Sequence, residues 1–262
     1  MARIDTLANF LTDVAAAIKS KTGKTGLITP ANFDTEILNI TTGSGSGSGG
    51  DDEETIILPA EYLLLDRLIS YGGEHIDTGL LPSATLGFEI DFRISNEMAA
   101  NSHARSILGC RHPNYYTNAY QLTTYTTLSD GDYGGAFAFG SVGSSSEYRY
   151  IKAAANMNNY RRLKVSLKNA VFTDADGNQT TFTENLTFSD PVTIYLFAYN
   201  ESDYKASEQS DMTLYRCKFY DGDTLIRDFV PALRLSDDVA GLYDRVEDTF
   251  YEDESGYDGF TY

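Results

Sequence analysis

Basic residues are scarce in this chain: 20 lysines and arginines stand against 38 acidic residues, giving a formal charge of −18 over 262 residues. A field of that sign repels phosphate backbones and anionic membranes, so no nucleic-acid or membrane partner is expected. Long apolar runs are also missing, and none approaches the roughly 20 residues that a membrane helix needs. The first residues show no basic segment leading into an apolar core. Synthesis in a cytosol, without export by a signal peptide, is therefore the expectation. Cysteine occurs only at Cys110 and Cys217. In a reducing cytosol these are expected as two small buried hydrophobes and not as a disulfide. Tryptophan is absent, and the aromatic content rests on 19 tyrosines and 14 phenylalanines, which favour strands.

Catalytic and metal signatures are just as thin. His75, His103 and His112 have no accompanying nucleophile at a recognisable spacing, so a catalytic triad has no support. Gly23-Lys24-Thr25 imitates a phosphate loop, but Ile18 stands where that motif needs its first glycine, and no strand precedes it. Asp174, Asp176 and Asn178 imitate the start of a calcium loop, yet Gln179 replaces its glycine and Asn185 its closing glutamate. A polar hairpin turn at Asp176-Gly177 is the expectation. No cofactor and no metal ligand is assigned.

What is present divides in three. In residues 1–42, Ile4, Leu7, Phe10, Leu11, Val14 and Ile18 recur at helical spacing, and Gly23 and Gly26 break the pattern. Thr29-Pro30 restarts a helix as N-cap and first helical residue, with Phe33, Ile37, Leu38 and Ile40 as its apolar face. About 40 residues make a marginal independent domain. The excess apolar face, with Leu7, Phe10, Leu11, Val14, Ile18, Phe33 and Ile37 at its centre, is therefore expected to oligomerise, as a homotrimer, or to anchor on another protein. Residues 43–54 join Gly-Ser repeats to four successive acids, Asp51 to Glu54, and read as a flexible linker.

From residue 55 the period changes to two. Leu86, Phe88, Ile90, Phe92 and Ile94 alternate with Gly87, Glu89, Asp91 and Arg93, as in a half-buried antiparallel strand. Leu163, Val165 and Leu167 do the same. Val192, Ile194, Leu196 and Ala198 read as a third such strand, which would place Tyr195 and Tyr199 on its non-core side. Leu214 to Tyr220 and Thr224 to Val230 flank an Asp221-Gly222 turn signal and read as a hairpin, which Pro231 should end. Many short strands with turn signals between them indicate a sandwich over residues 55–262.

The residues Tyr215, Cys217, Lys218, Tyr220, Asp221, Leu225, Arg227, Asp228, Phe229 and Pro231, followed by Gly241-Leu-Tyr-Asp244, Phe250 and Tyr251, carry a resemblance. This run is similar to the end of the concanavalin A-like (laminin-G-like) domain found in fibre, tail and minor structural proteins of phages and prophages of Gram-positive bacteria. Glu61-Tyr62 and Ile76-Asp-Thr-Gly79 with Pro82 resemble the opening of the same module, although Leu63 to Arg67 departs from its usual spacing. Residues 13–37 resemble an N-terminal segment of phage structural proteins. The resemblance implies a mainly β protein, a concanavalin A-like jelly-roll β-sandwich preceded by a small α-helical anchor. It also implies a non-enzymatic virion protein, made in a bacterial cytoplasm, that displays a lectin-like domain on tail or capsid to bind host or surface glycans. Some lectin-like relatives use calcium in their loops.

Two rivals stand beside that reading. One is a structural decoration protein without glycan binding. The other is a glycan-cleaving enzyme: laminarinase-type enzymes share the fold and use a Glu-x-Asp-x-x-Glu strand. Here Glu89 and Asp91 fill the first two positions and Ile94 the third, so one carboxylate of the working pair is missing. Flat aromatic rings with a hydroxyl suit sugars, which makes Tyr115, Tyr116, Tyr120, Tyr125, Tyr195 and Tyr199 the candidate ligand-binding residues.

Overall fold

In the computed structural model the chain falls into two units, Met1–Ile57 and Leu58–Tyr262. The structure describes Ala15, which is helical, and residues 55–94, 105–111, 119–125, 134–140, 150–153, 162–181, 188, 191–201, 206–207, 209–256 and 259–262. The expected anchor helices with Leu7, Phe10, Leu11, Val14, Ile18, Phe33 and Ile37, the linker, and Tyr115 and Tyr116 lie outside the described residues.

The described residues form eighteen strands. The first six are β1 (Tyr62–Leu64), β2 (Leu68–Tyr71), β3 (Ile76–Asp77), β4 (Leu86–Ile94), β5 (Arg105–Arg111) and β6 (Ala119–Tyr125). The next six are β7 (Gly134–Gly140), β8 (Tyr150–Ala153), β9 (Leu163–Lys168), β10 (Val171–Thr173), β11 (Gln179–Thr181) and β12 (Tyr195–Leu196). The last six are β13 (Tyr199–Glu201), β14 (Ala206–Ser207), β15 (Asp211–Asp221), β16 (Thr224–Arg234), β17 (Val239–Asp244) and β18 (Thr249–Tyr251). Two sheets result. The larger runs β11-β10-β9-β4-β15-β16-β17-β18, with β1 on β16 and β2 on β15; the smaller runs β14-β13-β5-β6-β7-β8, with β12 and β3 attached. The protein is thus mainly β, with two sheets sharing one core.

Strand β4 is the clearest case of sequence dictating structure. Its five alternating apolar side chains, Leu86 to Ile94, are each at most 4% exposed, while Glu89 and Arg93 face water. Each large apolar side chain buried in this way contributes about 2 kcal/mol. Leu163, Val165 and Leu167 of β9 and Cys217 and Phe219 of β15 pair with β4 and continue the same inward face. Ile107, Cys110, Tyr120, Leu122 and Leu196 of the smaller sheet, with Ile194 just before β12, complete the same core. Cys110 and Cys217 are both free and fully buried, as expected, and burial pushes both thiols well above their ordinary range. The Asp174 carboxylate accepts the backbone N–H groups of Asp176 and Asn178, which closes the β10–β11 hairpin as the polar turn expected there.

Two expectations need correction. Strand β16 does not stop at Pro231 but continues to Arg234, with Pro231 opposite Leu242. Proline is tolerated because the neighbour of β16 changes there: β15 pairs with it up to Phe229, and β1 from Ala232 onward. The missing N–H falls in the gap between partners, and the Pro231 carbonyl accepts from the Leu65 N–H at 2.9 Å.

The stretch 192–200 is not one alternating strand. Strand β12 runs antiparallel to β5, and β13 runs parallel to the same strand. The chain reverses between them at Phe197, whose φ of 67° is a costly left-handed conformation for a bulky residue. Tertiary contacts hold it there: its N–H donates to Ile107, its carbonyl accepts from Ser210, and its ring packs on Phe260 with centroids 4.7 Å apart.

Candidate functional site

Reversal at Phe197 removes the exposed tyrosine face. Tyr195 and Tyr199 are 2% and 1% exposed, and Tyr120 is fully buried. Tyr195 stacks on His75 with ring centroids 4.8 Å apart, and the Arg111 guanidinium covers Tyr199 at 4.2 Å. The Tyr120 hydroxyl donates to the Leu86 carbonyl across the core. These three rings are structural and offer no platform to a ligand. Tyr125 lies at the end of β6, and the structure describes its backbone but not its side chain.

The chemistry gathers instead on the outward face of the larger sheet. Because inward and outward residues alternate, pairing in register lines polar side chains into rows. One row crosses five strands: Thr173, Ser166, Glu89, Lys218 and Asp228. The next holds Lys164, Asp91 and Arg216. Opposite charges thus stand side by side across the strands, the favourable arrangement for a sheet face. Seven of these residues, Glu89, Asp91, Lys164, Ser166, Thr173, Arg216 and Lys218, line an open groove of about 400 Å³, with Ile90 and Val165 completing its floor. That volume lies within the range of small-ligand sites.

Two guanidiniums set the rigid parts of this face. Arg162 donates through Nε and Nη2 to the two oxygens of Asp91, at 2.6 and 2.7 Å, and its Cζ stands over the Tyr215 ring, 4.0 Å from the centroid. Arg216 donates in the same two-pronged way to Asp228, at 2.9 and 2.8 Å, and Arg245 adds a third bond to Asp228 at 2.9 Å. Such paired bonds fix orientation as well as charge. A β-bulge between Leu214 and Arg216 turns Tyr215 toward the Arg162 side. Tyr220, five residues along β15, is flanked by Lys168 at 5.6 Å. Partial burial, and then the charge of its hydrogen-bonded neighbour Glu89, raise the Tyr220 hydroxyl above its ordinary range.

Glu89 and Asp91, the incomplete carboxylate pair of the sequence, both stand on one face of β4 within this groove. Arg162, Tyr215, Arg216, Lys218 and Tyr220 are not among the candidates that the sequence pattern picks out. A signal for the last of these was present: the bulge aside, alternation along 215–220 sends Arg216, Lys218 and Tyr220 to one side and Cys217 and Phe219 to the other. Among the described residues no group of three or more His, Cys, Asp or Glu is arranged to hold a metal ion. No family model matches the chain, and no curated protein matches it.

Proposed function

We propose that this chain is a non-enzymatic structural protein of a phage particle, a fibre or adhesin, whose concanavalin A-like jelly-roll domain binds host or surface glycans through the groove on its larger sheet. The observation that carries the reading is the row Thr173, Ser166, Glu89, Lys218, which sets hydroxyls, a carboxylate and an ammonium side by side beneath an open groove. Sugar hydroxyls both donate and accept, and such a mixed row meets both needs. Tyr215 and Tyr220 add aromatic surface alongside, about 17 Å apart along β15 at the usual strand rise. The bidentate Arg162–Asp91 pair supports binding over hydrolysis, since both oxygens of that carboxylate already accept a guanidinium. Repetition of the chain on a particle would make weak single contacts effective.

The test is binding of the full-length chain to an array of bacterial surface polysaccharides, alongside Ser166→Trp, which plugs the groove at an outward strand position that tolerates an aromatic ring. Binding by the native chain and its loss in the plugged variant, with an unchanged melting temperature, are expected. No binding by the native chain, or equal binding by both, defeats the reading. A second reading, a decoration protein without glycan affinity, is favoured by Leu63, Leu64 and Leu235, which are 52%, 41% and 51% exposed and would suit burial against another subunit.

A further inference from the structure

We infer that the ligand of this groove is an acidic polysaccharide, its carboxylate or phosphate groups held by Lys164 and Lys218; the inference rests on the glycan reading above. The carboxylates of this face are mostly engaged within the protein. Asp91 is held by Arg162, and Asp228 by Arg216 and Arg245. Two ammonium groups are held loosely or not at all. Lys218 makes no ion pair among the described residues, and Lys164, with its side chain 74% exposed, stands 3.8 Å from the Asp91 Oδ2 that Arg162 already holds. They occupy adjacent rows on either side of Glu89, with rows about 7 Å apart at two residues per repeat. A polymer with acidic groups at intervals could engage both, and lysine, a compact charge on a flexible stem, accepts such groups in several orientations.

The overall charge of −18 repels any polyanion at long range, as it does a phosphate backbone, so contacts inside the groove must outweigh that repulsion at short range. At physiological ionic strength the field of distant carboxylates is largely screened beyond about 8 Å, whereas an ammonium in contact with its anion is not. Local charge decides in the groove, where Lys164, Arg216 and Lys218 stand against Glu89 and Asp91.

The experiment measures the full-length chain against polygalacturonate, its methyl ester, a glycerol-phosphate polymer, neutral dextran and single-stranded DNA. Tighter binding to the acidic carbohydrates than to the ester and dextran is expected, weakening as salt is raised. The double variant Lys164→Gln/Lys218→Gln should lose about tenfold in affinity, the product of two partly exposed ion contacts, with its melting temperature unchanged. Binding to only one of the two acidic carbohydrates supports the inference and names the anion. Equal affinity for ester and acid, undiminished binding by the double variant, or a preference for DNA overturns the acidic-ligand inference. Retained dextran binding in those cases leaves the glycan reading standing, and failure to bind any carbohydrate removes both.

Discussion

Arg216 and Asp228 face each other from neighbouring strands β15 and β16, with guanidinium Nε and Nη2 each donating to one carboxylate oxygen. Asp228 is 3% exposed and also accepts from Arg245. Asp228→Asn would remove the charge of the carboxylate that both guanidiniums share, and it should cost about 2–3 kcal/mol. The urea midpoint should fall with an unchanged denaturant slope. A loss below about 1 kcal/mol would mean that the pair behaves as an ordinary surface contact.

Gly241 should tolerate no side chain. A Cβ there would lie 2.2 Å from the Tyr251 carbonyl oxygen and 2.8 Å from the Phe250 ring, which lies over this glycine and stacks on Tyr62 at 5.3 Å. Gly241→Ala must push β18 away from β17, for a loss of about 3 kcal/mol. Hydrogen exchange should show the lost protection concentrated at Thr249–Tyr251.

His75 should make stability fall in mild acid. Burial lowers its pKa below the ordinary value of 6.5 despite the neighbouring Asp253 and Asp77. The unfolded chain therefore takes up a proton as pH drops through 6.5, while the folded chain resists it. Stability is fully present above that pH and declines below it, by at most about 1.4 kcal/mol per unit for one such group. His75→Phe keeps the stack on Tyr195 and should flatten this decline between pH 6.5 and the acid range where carboxylates titrate. Denaturant midpoints across that window would separate the two chains, and an equal decline in both would absolve His75.

Tyr120→Phe discriminates between a core residue and a ligand contact. Loss of the hydroxyl leaves the buried Leu86 carbonyl without this donor and should cost about 1–2 kcal/mol. Glycan affinity should not change. Reduced affinity in a variant of unchanged stability would return Tyr120 to the binding site.

Local periodicity made the inward faces of β4, β9 and β15 readable, because a residue such as Phe88 or Val165 reports its burial through its immediate neighbours. The β15–β16 hairpin was readable for the same reason, although its turn is Gly222-Asp223 and one residue later than the Asp221-Gly222 signal. Pro231 and Phe197 were not readable, since each depends on which distant strand lies beside it. The candidate site was hidden by the same kind of separation. Arg162 and Asp91 are 71 positions apart, and nothing near either residue announces the other. Tyr195 and Tyr199 were assigned to a solvent face on the rule that one side of a strand stays wet. That rule fails where His75 and Arg111 cover the second side.

Sealing both native thiols inside the protein has a practical result. Thiol-directed reagents should leave the folded chain untouched, so a single cysteine introduced at Gln179, exposed on β11 opposite Thr173, would be the sole handle for a fluorescent dye. Placed on the rim of the groove, that dye would turn occupancy into an optical reading without any prior removal of natural thiols.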